Sequence, residues 1–142
     1  MAYLARREHS RQELHQKLMM RGFCVEKIAK VLDELEAKRL LSESRFVESF
    51  IRAGLSKGQG PIKIQYDLRQ KGIGEDALPK IPEWVSVDWV LCAQRVLKKR
   101  FGESLPQSFT DKQKQMRFLQ QRGFTQSQIQ QAFSDEERNR KD

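Results

Sequence analysis

The chain has 142 residues, of which 38% are hydrophobic and 32% are charged, and its formal net charge is +8. This composition excludes a disordered chain, and it favours a folded protein with a thin core whose partners are nucleic-acid phosphates or acidic surfaces. No stretch reaches the roughly 18 apolar residues of a membrane span, so we expect no membrane contact and a cytoplasmic protein.

The first predicted elements occupy residues 1–57. The stub of a helix occupies residues 1–8, and the S-x-x-E pattern of Ser10 and Glu13 predicts the capping box of the next helix. Two further helices follow, the second of them from Ser42 to about Lys57. The residues that we expect on the inward faces of these two helices are Ile28, Val31, Leu32, Leu35, Phe46, Phe50 and Leu55.

The second group of elements begins at Gly60 and Pro61, because proline suits the first position of a helix. Pro79 and Pro82 follow, and since each removes a helical hydrogen bond, any helix there must be short or broken. A longer helix extends from Asp88 to about Phe101. Its expected inward residues are Ala93, Val96 and Leu97.

The third group begins with a helix that Thr110 or Asp111 caps, and Thr125 with Gln128 predicts another capping box. The inward residues of the helix after that box are Ile129, Ala132 and Phe133. Only SDEERNRKD follows Phe133, and we expect this tail to fray. With about eight or nine helices and no strand pattern, the predicted fold class is all-α.

One short phrase recurs in the three groups: Leu, two residues, a base, Gly and a large apolar residue. Its forms are LMMRGF, LRQKGI and LQQRGF, and the glycines are 50 and 51 residues apart. This period indicates tandem three-helix repeats, and we expect an elongated, curved array. The predicted units are the stub with repeat 1 (1–57), repeat 2 (58–102), and a truncated repeat 3 with a charged tail (103–142).

The phrase has the form of a helix terminator, because glycine at the C′ position adopts a left-handed conformation. The leucine and the last apolar residue would then make the hydrophobic contact of a Schellman motif. The base before the glycine opposes the negative end of the helix dipole, so both a structural and a binding role stay open for it. The motif residues are Leu18, Gly22, Phe23, Leu68, Gly72, Ile73, Leu119, Gly123 and Phe124.

The sequence contains no catalytic motif, so we expect neither an enzyme nor a cofactor. His9 and His15 fall on different faces of a helix, and Cys24 and Cys92 lack the short spacing of a zinc site, so we also expect no metal. Cys24 precedes a helix, where a tolerated small residue is the favoured interpretation over a reactive thiol. Two distant cysteines suit a reducing cytosol.

Five stretches of the chain resemble the RecX family of bacterial recombination regulators. They are LARREHSRQELHQKLMMRGF, RLLSESRFVESFIR, LSKGQGPIKIQYDLRQKGI, VDW and RFGESLPQSFTDKQKQMRFLQQRGF. The resemblance implies tandem three-helix repeats and a modulator of the RecA recombinase, active in recombinational DNA repair and the SOS response. Such proteins are expected to lie in the groove of the RecA filament on single-stranded DNA and to suppress its ATPase and strand exchange. Family members commonly carry an aromatic where this chain has Gln59.

The implied partners are the RecA filament, single-stranded DNA and, weakly, duplex DNA, and we expect a monomer. An autonomous DNA-binding protein of helix-turn-helix type and a helical scaffold without a nucleic-acid role are the alternatives. Basic side chains near the repeat junctions are the binding candidates, and Lys98 to Arg100 form the densest cluster. The candidates are Arg21, Lys57, Lys63, Arg69, Lys71, Lys98, Lys99, Arg100, Arg117 and Arg122.

Overall fold

The computed structural model describes residues 8–141, without the side chains of residues 139–141, and every regular element in this range is a helix. In chain order these are α1 (Arg11–Met20), α2 (Val25–Ala37), α3 (Glu43–Ser56), α4 (Pro61–Gln70), a 3₁₀ helix (Glu75–Lys80), α5 (Pro82–Val85), α6 (Trp89–Phe101), α7 (Phe109–Gln121) and α8 (Gln126–Lys141). The all-α prediction is confirmed for these residues. The predicted stub lies outside them, apart from Glu8.

Most predicted helix starts are confirmed. Ser10 and Glu13 form a complete capping box at α1, the Thr125–Gln128 box is present before α8, and Pro61 begins α4. The cap predicted for α7 is wrong. Its N-cap is Ser108, whose hydroxyl accepts a hydrogen bond from the Asp111 N–H at 3.1 Å, because Thr110 and Asp111 already lie within the helix.

All three glycine phrases end a helix, as predicted. In each of them the N–H of the last apolar residue donates to the leucine carbonyl, the long hydrogen bond of a Schellman motif. The bonds join Phe23 to Leu18 (3.2 Å), Ile73 to Leu68 (2.9 Å) and Phe124 to Leu119 (3.2 Å). The glycines have φ values of +90° at Gly22, +85° at Gly72 and +97° at Gly123, where a side chain would be strained.

The chain divides into two compact units, each with its own core. The first unit ends at Arg52 and resumes over Asp67–Val85, and the second consists of Ala53–Tyr66 and the residues from Ser86. The buried cluster of the first unit is Leu14, Ile28, Leu32, Leu35 and Leu41. That of the second is Ala93, Leu97, Leu119, Phe124, Ile129, Ala132 and Phe133.

Two proline and tail predictions have different outcomes. The segment with Pro79 and Pro82 is broken as expected, into the 3₁₀ helix and the four-residue α5. The expectation that the tail frays is wrong, because α8 continues to Lys141. Two of its carboxylates are paired with neighbouring helices: Glu136 with Lys98 and Glu137 with Lys112, each at 3.2 Å.

Candidate nucleic-acid interface

One face of α6 forms the side of a groove of about 520 Å³ in the second unit. The residues that α6 contributes are three or four positions apart, so they lie on the same side of the helix. They are Cys92, Arg95, Val96, Lys99 and Arg100. The segment 55–59, Phe118 and Arg122 complete the lining.

The groove is strongly basic. Lys57, Arg95, Lys99, Arg100 and Arg122 all contribute to it, and none of the lining residues in the described chain is acidic. Like charges gathered in a concave site focus the electrostatic potential and raise the local concentration of anions. The arrangement therefore favours a polyanionic ligand.

Phe118 lies at the centre of the cationic side chains. The guanidinium carbon of Arg122 is 5.2 Å from the centre of its ring, and that of Arg100 is 6.0 Å away. The ring of Phe101 meets it edge-on, with 5.4 Å between ring centres. Attraction between the cations and the ring orients both guanidinium groups, and Val96 adds further apolar surface. The groove thus combines charge with surfaces on which flat rings can stack.

Hydrogen bonds fix the wall of the groove. The Arg122 side chain donates to the Lys57 carbonyl at 3.2 Å, and the Gly60 N–H donates to the Arg122 carbonyl at 2.7 Å. Gly60 permits this approach, because a Cβ there would collide with the backbone of Gly123. The cations are therefore held on an ordered backbone rather than on a free loop.

Four of the ten candidate cations line this groove: Lys57, Lys99, Arg100 and Arg122. Lys98 does not line it, because successive residues of a helix point about 100° apart. Its ammonium pairs with Glu136 at 3.2 Å. Arg95 lines the groove and was missed, although its position four residues before Lys99 on the same helix face is visible in the sequence.

The other candidates have different surroundings. In the first unit, Lys71 pairs with the buried carboxylate of Glu13 at 3.2 Å, and Arg69 lies 3.8 Å from the Glu75 carboxylate. These two side chains therefore have a structural function. Arg21 is the exposed C-cap of α1. In the second unit Lys63 and Arg117 are exposed, and a Cβ on Gly123 would collide with Lys63.

The groove contains one of the two thiols. Cys92 is partly buried in its lining, and this burial raises the pKa of the Cys92 thiol. Within residues 8–141, no group of three or more His, Cys, Asp or Glu residues could hold a metal ion. None of the helices described in that range has the length and apolar character that crossing a bilayer requires.

Comparison with known proteins places three family models on the chain. The first, second and third three-helix domains of RecX match residues 1–35, 42–78 and 92–133. Among curated relatives, the Regulatory protein RecX of Halorhodospira halophila is 42% identical over 89% of this chain and 78% of its own. That of Pseudomonas entomophila is 40% identical over 91% and 83%. The crystal structure of RecX from Lactobacillus salivarius has a TM-score of 0.77 at 22% identity, covering 96% of this chain and 90% of its own.

Proposed function

The chain belongs to the RecX family of regulatory proteins, and we propose that it is a negative modulator of RecA. In this proposal it binds the groove of the RecA filament on single-stranded DNA and suppresses the ATPase and strand exchange without catalysing a reaction itself. The observation that supports the proposal most directly is the basic groove of the second unit with Phe118 among its cations.

The chemistry of the groove favours a single strand over a duplex. Phosphates would pair with the cations of α6, and an unpaired base could stack on the Phe118 ring or on a guanidinium plane. In a duplex the faces of the bases are covered by their neighbours, so only the phosphate contacts would remain. We therefore expect duplex binding to be weaker and independent of sequence.

A modulator need not bind tightly at one site. A filament presents the same surface many times, and modest contacts made together give a much higher overall affinity than each contact alone. The groove would contribute the electrostatic part of this affinity, which falls as salt releases counterions from DNA.

Charge reversal at the groove tests the proposal. We expect Arg95→Glu with Lys99→Glu to weaken binding to a single-stranded oligonucleotide at least about tenfold, because two phosphate contacts become repulsive. The log-log salt slope should fall by about 1.4, at about 0.7 per lost contact on a single strand. Fluorescence anisotropy at several salt concentrations measures both. The variant should also lose the ability, expected for the wild type, to slow the RecA ATPase at substoichiometric amounts.

The matched control reverses two exposed charges elsewhere, Lys80→Glu with Lys114→Glu, and should leave DNA affinity within about threefold after correction for net charge. Equal losses in the two double variants would contradict a role for the groove. A strong preference for one duplex sequence would instead favour the helix-turn-helix alternative.

A further inference from the structure

The second glycine turn packs against the beginning of a helix from the preceding repeat. The Gln12 side-chain amide donates to the Gln70 carbonyl at 3.3 Å, and Lys71 pairs with Glu13 at 3.2 Å. A Cβ on Gly72 would collide with Gln12. The start of α1 thus covers the second turn within the first unit.

The third turn is covered in the same way within the second unit. The Gly60 N–H donates to the Arg122 carbonyl at 2.7 Å, and the Ile62 N–H donates to the Gly123 carbonyl at 2.9 Å. Ile62 precedes Gly72 by ten residues, as Gln12 precedes Gly22. Both turns therefore receive the equivalent part of the preceding repeat, which is the N-terminal end of its first helix.

The first turn receives no such cover from the described residues. None of them lies within 4 Å of a Cβ built on Gly22. The apolar residue after the glycine shows the difference: Phe23 is 50% exposed, whereas Ile73 is 3% and Phe124 is 1% exposed. The same local structure is thus left open to solvent at the first turn.

Three positions next to each turn differ in the same direction. They lie three and two residues before the glycine and three residues after it, and all are exposed in the three repeats. The second and third repeats have only polar side chains there: Arg69, Gln70, Glu75, Gln120, Gln121 and Gln126. The first repeat has Met19, Met20 and Val25, which are 46%, 87% and 58% exposed. A contiguous exposed apolar patch of this kind marks an interaction site.

We propose that this patch, Met19, Met20, Phe23 and Val25, binds the N-terminal turn of a helix in a protein partner, a turn that carries apolar side chains and a carboxylate. The shape of the occupant follows from the two internal turns, each of which receives a helix start. Its charge follows from the exposed Lys27 and Lys30 of the adjacent α2, and from Glu13, the carboxylate that a helix start brings to the second turn. The inference rests on the proposed function, in which that partner is a RecA subunit.

The test replaces each patch residue by the glutamine of the third repeat: Met19→Gln, Met20→Gln and Val25→Gln. The control is Val85→Gln with Phe109→Gln, which are 64% and 77% exposed elsewhere. Binding is measured to RecA filaments on single-stranded DNA and to the bare oligonucleotide. We expect the patch variant to bind filaments about tenfold more weakly, with bare-DNA affinity within about twofold of the wild type. Lys27→Glu with Lys30→Glu should also weaken filament binding.

The outcomes separate the inference from the proposed function. If the wild type itself does not bind filaments, the proposed function fails and the assigned partner with it. If the wild type binds and the patch variant binds equally well, only the patch inference is overturned. A lower melting temperature of the patch variant would show that the chain itself covers the patch, and loss of a wild-type dimer would show that a second copy does. Either result overturns the inference.

Discussion

The first and third glycine turns have the same hydrogen bonds and opposite surroundings. Both close a helix through an N–H to a leucine carbonyl at 3.2 Å, and both place glycine in the left-handed region. Phe124 is nevertheless buried and Phe23 half exposed. The comparison separates two contributions: the turn geometry is set by local sequence, whereas burial depends on whether another segment covers the turn.

Removing the aromatic ring should give the largest contrast between the two turns. We expect Phe124→Ala to lower the free energy of unfolding by about 4 kcal/mol, because it leaves a cavity in the core of the second unit. Phe23→Ala should cost about 1 kcal/mol or less, since its ring is already largely hydrated. Urea denaturation measures both values. Similar losses would mean that the first turn is covered after all.

The glycines themselves give the next effect. Gly123→Ala should cost about 3 kcal/mol, because the added Cβ is strained by the positive φ and also meets the Lys63 backbone. Gly22→Ala has the same strain in open space, so we expect about 1 kcal/mol. The difference between the two melting curves isolates the crowding. If both substitutions cost the same, the contact between Gly123 and α4 contributes nothing measurable.

The second turn should lie between these extremes. Gly72→Val should lower the free energy of unfolding by about 2 kcal/mol, because the positive φ opposes any Cβ while the crowding atom belongs to the flexible Gln12 side chain. Gln12→Ala in the Gly72→Val background should restore part of the loss by making space. An unchanged melting temperature in Gly72→Val alone would contradict its left-handed assignment.

Sequence alone predicted the local features of the fold and missed those that depend on tertiary contacts. Capping boxes and glycine turns involve residues within about six positions of one another, so Ser10, Thr125 and all three glycines were located correctly. The helical tail depends on ion pairs with other helices, such as Glu136 with Lys98, and the spacing along one segment does not show them.

The groove was predicted in part for the same reason. Lys98, Lys99 and Arg100 are adjacent in the sequence, but only the last two share a face with Arg95. A helical projection of α6 would have exchanged Lys98 for Arg95. The position of Phe118 among the cations could not be predicted, because it depends on how α7 packs beside α6. That packing brings together residues that are about 20 positions apart.

The two cysteines allow the smallest effect to be measured, because Cys24 follows the open first turn and Cys92 lines the groove beside Arg122. Since burial raises the pKa of the Cys92 thiol, its thiolate forms at higher pH than that of an ordinary cysteine. We therefore expect iodoacetamide to modify the exposed Cys24 first at neutral pH, and modification of Cys92 to accelerate as the pH rises. Mass spectrometry of timed samples distinguishes the two sites. A single-stranded oligonucleotide should slow Cys92 further and leave Cys24 unchanged, whereas equal protection of both thiols would contradict binding confined to the groove.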